Sequence, residues 1–129
     1  MKELLKKIDV AVAGGKNIQV TEKLSTEFES IIGIFAIEKS EYKEQVSANE
    51  TKISDITFGL RVSGDEVIPN HTDLSLMEFN GKYSWREAMY DLSKENLSAR
   101  GTQVEIYVNN NNIIDKRPFN FTIYLLLSK

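Results

Sequence analysis

The feature that most constrains this fold is a period-two alternation of apolar side chains near the end of the sequence. In the segment 118–127, Phe119, Phe121, Ile123, Leu125 and Leu127 fall on one face of an extended chain. The same period recurs in 55–62, where Ile56, Phe58, Leu60 and Val62 share a face, and in 102–108, with Val104, Ile106 and Val108 inward. Ser63-Gly64-Asp65 supplies the positive φ of a tight hairpin, and Glu66-Val67-Ile68 is its return strand. Pro69, which cannot donate to a ladder, is expected to end that pairing. Residues 30–37 are apolar on both faces, as suits a central strand covered from two sides. Asn17 to Thr21 is a shorter strand that Leu24 to Phe28 can continue, and 74–79 alternates weakly before Asn80-Gly81 turns the chain.

Two segments read as helices. Leu4, Ile8 and Val12 stand at i, i+4 and i+8, with Leu5 and Ala11 widening the stripe, which predicts a helix over 1–13. Gly14-Gly15 then ends it as a flexible hinge. Such an arm has three destinations: its own sheet, a neighbouring subunit, or peripheral contact with a membrane surface. Ser84-Trp85-Arg86-Glu87 has capping-box spacing and predicts a second helix to about Lys94, with Trp85, Ala88, Met89 and Leu92 on one side. The polar stretch 38–52 reads as a long loop with a helical turn near Tyr42, and Asn109 to Asn112 as a solvated loop. Strands flank one interior helix without a βαβ rhythm. The expectation is therefore an all-β, jelly-roll-like antiparallel sandwich over 16–129, preceded by a short N-terminal helical arm and hinge over 1–15.

Composition narrows the function. The chain has 129 residues, the size of one domain, and is 41% hydrophobic and 27% charged. With 19 acids against 16 Lys and Arg it lacks the basic excess of a duplex binder, so no specific nucleic-acid partner is expected. The absence of cysteine excludes disulfides, thiolate metal sites and cysteine nucleophiles. Charges interrupt the opening seven residues, which do not read as a secretory signal, and no apolar run reaches a membrane span, so synthesis and folding in the cytoplasm are expected. The four Asn-x-Ser/Thr sequons, at Asn49, Asn70, Asn96 and Asn120, then carry no weight.

Catalytic chemistry finds little to stand on. His71 is the single histidine, too few for an imidazole metal site within one chain, and reads as a loop-edge residue. There is no nucleophile-elbow G-x-S-x-G and no phosphate-cradling glycine motif, Gly14-Gly15-Lys16 being too short. Neither Asp65-Glu66 nor the series Glu38, Glu41, Glu44 is marked out as a pair facing across a cleft. The asparagine run with Asp115 lacks the spaced acids of a calcium loop. No catalytic residue, metal or cofactor is expected. Contact residues remain: Leu4, Leu5, Ile8 and Val12 on the arm, and Tyr83, Trp85 and Tyr90, which serve either as packing anchors or as an aromatic platform for a sugar or partner.

The run Ile31-Ile32-Gly33-Ile34-Phe35-Ala36-Ile37, followed by the strand, glycine turn and Glu66-Val67-Ile68-Pro69 return of 53–69, resembles viral jelly-roll capsid proteins. Residues 99–108 and 118–127 look like their final strand pair. The likeness spans about residues 30 to 127 and is closest in style to vertex and penton-like proteins of tailless, lipid-containing bacteriophages. It implies eight strands in two facing sheets, used as an assembly brick. Major capsid subunits of that lineage carry two such rolls, and one fits here, so the resemblance implies a minor virion component that meets copies of itself and other capsid proteins. It carries over no catalytic residue. A carbohydrate- or ligand-binding sandwich is the alternative.

Overall fold

The computed structural model describes residues 2–38 and 50–129. Nine strands among them form two antiparallel sheets packed face to face. In the first, β1 (Glu3–Ala13), β9 (Pro118–Ser128), β3 (Ser30–Glu38) and β6 (Tyr90–Asp91) are neighbours in that order, and β7 (Leu97–Ser98) also pairs with β3. The second runs β2 (Asn17–Lys23), β8 (Gln103–Asn110), β4 (Ile56–Val62), β5 (Asp65–Asp73). The loop expected around Tyr42, with Glu41 and Glu44, lies outside the described residues.

The alternation in the sequence becomes the core between the sheets. Phe121, Ile123, Leu125 and Leu127 of β9 meet Ile56, Phe58 and Leu60 of β4 and Val104, Ile106 and Val108 of β8, all at most 1% exposed. Each such side chain gains roughly 1.5–3 kcal/mol by leaving water. The β4–β5 hairpin turns through Ser63 (φ 52°) and Gly64 (φ 84°), the two left-handed residues that match the twist of the strands. Pro69 does not end β5. It opens a bulge: pairing passes from Leu60–Ile68 to Phe58–Thr72, so 69–71 bow out opposite Gly59. The edge position of β5 tolerates the missing N–H.

The N-terminal helix is corrected to a strand. Residues 3–13 pair along their whole length with β9, from Glu3–Ser128 to Ala13–Pro118. The i, i+4, i+8 stripe is ambiguous because four is a multiple of two, so Leu4, Ile8 and Val12 also share one face of a strand. Val10 decides the matter. A helix turns it about 200° from Ile8 and strands it on the polar side, whereas in β1 it joins Ile8 and Val12 in the core at 4%, 2% and 1% exposure. The hinge is likewise a tight corner: Gly15 (φ 75°) donates to the Asn110 carbonyl, and a Cβ on Gly14 would collide with the Asp115 carbonyl.

The interior helix is one turn, α1 (Trp85–Ala88), capped by Ser84 Oγ accepting from the Arg86 N–H. It stops because Met89 is extended and Tyr90 and Asp91 pair with Ile34 and Gly33 of β3. Leu92 enters the main core as expected of that face, and Met89 lies on the outer face of the sheet, over Gly33, where a Cβ would strike its sulfur. Around it, Phe35 and Leu126, each 1% exposed, start a second apolar layer outside the sandwich.

Because β1 belongs to the core, Ile8→Ala should lower the unfolding free energy in denaturant by about 2–5 kcal/mol. A loss below about 0.5 kcal/mol, the scale of surface substitutions, would restore the picture of a separate arm.

Candidate functional site

The residues singled out on the first segment divide by the pleat of β1. Ile8 and Val12 are sealed in the core, Leu5 is half-buried and Leu4 is 45% exposed. Only the start of the strand therefore offers apolar surface, and residues 3–13 present no amphipathic helix to a membrane. What they do present is backbone. β1 and β2 are the outer strands of their sheets on one flank, joined by the Gly14-Gly15 corner, with 11 and 7 residues free of proline. Ile18 and Val20 of β2 are only partly covered by the core. The opposite flank is blunted: β5 carries the Pro69–His71 bulge, and β6 and β7 are two residues each. Unpaired regular edges recruit further strands, and bulges and short strands deter them.

Tyr83, Trp85 and Tyr90 do not make an open platform. Trp85 stacks on Phe35 with centroids 5.3 Å apart at 19°, and Phe35 stacks in turn on Tyr124 at 5.2 Å and 18°. Phe79 meets Phe35 edge-on at 6.3 Å. The Arg86 guanidinium carbon sits 4.5 Å over the Trp85 ring, and the same side chain holds Glu3 of β1 at 2.8 Å. Both faces of the indole are thus occupied, which makes Trp85 a clamp that ties α1 across β9 to the edge strand. Tyr83 and Tyr90, 46% and 48% exposed, remain as separate surface residues on either side of this turn.

The asparagine run, expected as a solvated loop, is built into the fold. Asn109 and Asn110 end β8 at 4% and 2% exposure. Asn109 Nδ2 donates to Asn70 Oδ1 (2.9 Å) and Thr57 Oγ1 (3.2 Å), and Asn110 Nδ2 donates to the Val12 carbonyl (3.1 Å). Beyond the strand, side-chain oxygens cap successive backbone N–H groups: Asn110 that of Asn112, Asn112 those of Ile114 and Asp115, Asp115 that of Arg117. These turns spend the donors and acceptors that a solvated loop would leave to water. They hold Ile113 and Ile114 out at 71% and 65% exposure, beside the Gly15 corner. Two adjacent isoleucines on a braced loop make an apolar contact point of the kind that marks interfaces. Residue type alone concealed it, because the bracing partners, Val12 and Thr51, are distant in sequence.

Asp115 anchors the loop. Its carboxylate takes the Arg117 side chain (2.9 and 3.1 Å) and the Thr51 N–H (3.0 Å), bonds that hold it well below the usual carboxylate range, the arginine contributing most. His71, the lone imidazole, lies exposed in the β5 bulge at φ 70°, its Nδ1 3.4 Å from Asn109 Nδ2. Among the described residues no group of three or more His, Asp or Glu side chains could hold a metal ion, and no helix is long and apolar enough to cross a membrane.

The lowered pKa of Asp115 stabilises the fold at neutral pH, and that contribution is lost as pH falls from about 4 toward the folded value. Asp115→Ala should lower the melting temperature at pH 7 and flatten the acid limb of the stability–pH curve. An unchanged acid limb would remove Asp115 as the loop's anchor. Comparisons of the chain with family models, curated proteins and solved structures return no match.

Proposed function

We propose that this chain is a structural subunit of a virion, a minor capsid or penton-like vertex component that works by contact rather than catalysis. The observation that carries the proposal is the strand order. With β6 and β7 taken as one position beside β3, the orders β1-β9-β3-β6 and β2-β8-β4-β5 set the first strand beside the last and the second beside the next to last. That supports a single jelly roll, the two-Greek-key sandwich which capsid proteins use as a brick.

The asymmetry of the flanks supports self-association. The regular β1–β2 flank offers its open edges to a neighbouring copy while the blunted β5–β6 flank does not, and where that flank meets an unlike surface of the next copy the contacts close into rings when the rotation between copies completes a circle. Ile113 and Ile114 stand at the corner where β1 turns into β2, so a neighbour on that flank would cover them as well. Other capsid proteins would meet the rest of the surface.

Light scattering and negative-stain imaging of the purified chain test this. The expected result is a closed cyclic oligomer that the double substitution Ile113→Asp, Ile114→Asp converts to a folded monomer. A native chain that stays monomeric up to its solubility limit would sink the assembly role.

A further inference from the structure

The outer face of the four-stranded sheet carries a hollow that the assembly reading does not use. Its floor is Gly59. Phe58 and Leu60 point into the core at 0% exposure, so position 59 points outward and presents only backbone to the hollow. On one side its partner on β8 is Tyr107. On the other, the β5 bulge brings Asn70 so close that a Cβ on Gly59 would lie 2.7 Å from the Asn70 Cα. Between these walls is a cavity of about 340 Å³, with Arg61 and Glu66 at one end. That is the lower end of the size range of small-ligand sites, roughly 300–1,000 Å³.

The polar groups around it are held in place. Asn109, 4% exposed, donates to Asn70 Oδ1, which also accepts from the His71 backbone N–H at 2.9 Å. Both bonds require the oxygen on that side, so the Asn70 amide NH₂ is the group left for the rim. Tyr107 donates its hydroxyl proton to Glu105 at 2.8 Å, which pins the ring along β8, and the Arg61 guanidinium lies near that hydroxyl with Glu105 and Glu66 around it, which favour its charged form. The rim therefore combines an aromatic ring, guanidinium and amide donors, and carboxylate acceptors. One arginine among two glutamates leaves it without excess positive charge, which disfavours phosphate, sulfate or carboxylate ligands.

We propose that this hollow binds a neutral saccharide of one or two rings, stacked on Tyr107, with its hydroxyls shared between Arg61, Glu66 and Asn70. Adjacent sugar hydroxyls both donate and accept, as this mixed rim requires, and their C–H face suits the tyrosine ring. The site does not rest on the virion role, and it uses the sheet opposite to the one that carries Trp85.

The test is amide chemical-shift mapping of the full chain, titrated with free glucose, galactose, mannose, N-acetylglucosamine and their neutral disaccharides, with sialic acid and glucose 6-phosphate as anionic comparators. At least one neutral sugar should shift Gly59, Asn70 and Tyr107. Arg61→Ala and Tyr107→Ala should each weaken that binding about tenfold or more, the loss of one charged hydrogen bond or stacking contact, while Tyr83→Ala leaves it unchanged. Tyr107→Phe, which keeps the ring, covers the case in which Tyr107→Ala does not fold, and should bind more weakly than the native chain but still detectably. No shift with any neutral sugar, preference for the anionic ligands, shifts confined to the Tyr83–Tyr90 turn, or native affinity in folded Arg61→Ala would each overturn the proposal.

Discussion

Everything in the first sheet is referred to β9. Its eleven residues pair on one side with β1 and, from Phe121 onward, on the other with β3, so one strand carries the ladder of both neighbours. Its inward residues fill the core, and its outward Tyr124 and Leu126 support the layer laid down by residues 79–89. A polar substitution on either face would reach both packing layers, because interiors at crystalline density have no slack to absorb it.

The two sheets treat their outer faces differently, and that difference organises the surface. The five-stranded sheet is covered. Phe35, Gly33 and Leu126 lie under Trp85 and Met89, and Arg86 carries the cover as far as Glu3. The four-stranded sheet is bare, and its outward positions are polar apart from the Tyr107 ring and the gap at Gly59. Missing side chains at two outward positions are thus filled from different sources: at Gly33 by the Met89 side chain, and at Gly59 by the Asn70 backbone of the β5 bulge, beside which the hollow lies.

Sequence alone disclosed the strands whose alternation has one interpretation. Those of β4, β8 and β9 were legible because three or more apolar positions two apart leave no helical alternative, and the Ser63-Gly64 turn because its conformation is local. The first segment is ambiguous because Leu4, Ile8 and Val12 satisfy both periods, and only Val10 favours the strand, whose partner lies more than a hundred residues away. The helix after Ser84 was overextended for a similar reason: its cap is local, but its end is set by the open edge of β3. Contact surfaces were the least legible. Tyr83, Trp85 and Tyr90 looked like a set by composition, yet stacking on Phe35 removes Trp85 from it. Gly59, Asn70 and Tyr107 come together only through strand register and a bulge.

Strand pairing also dictates an order of events at the ribosome. None of the first three strands pairs with another: β1 has only β9, β2 only β8, and β3 has β6, β7 and β9. Residues 3–38 therefore emerge with alternating apolar side chains, and among the described residues no ladder partner follows until Tyr90, more than fifty residues on. Such long-range pairing is slow, and it exposes sticky extended chain in the meantime.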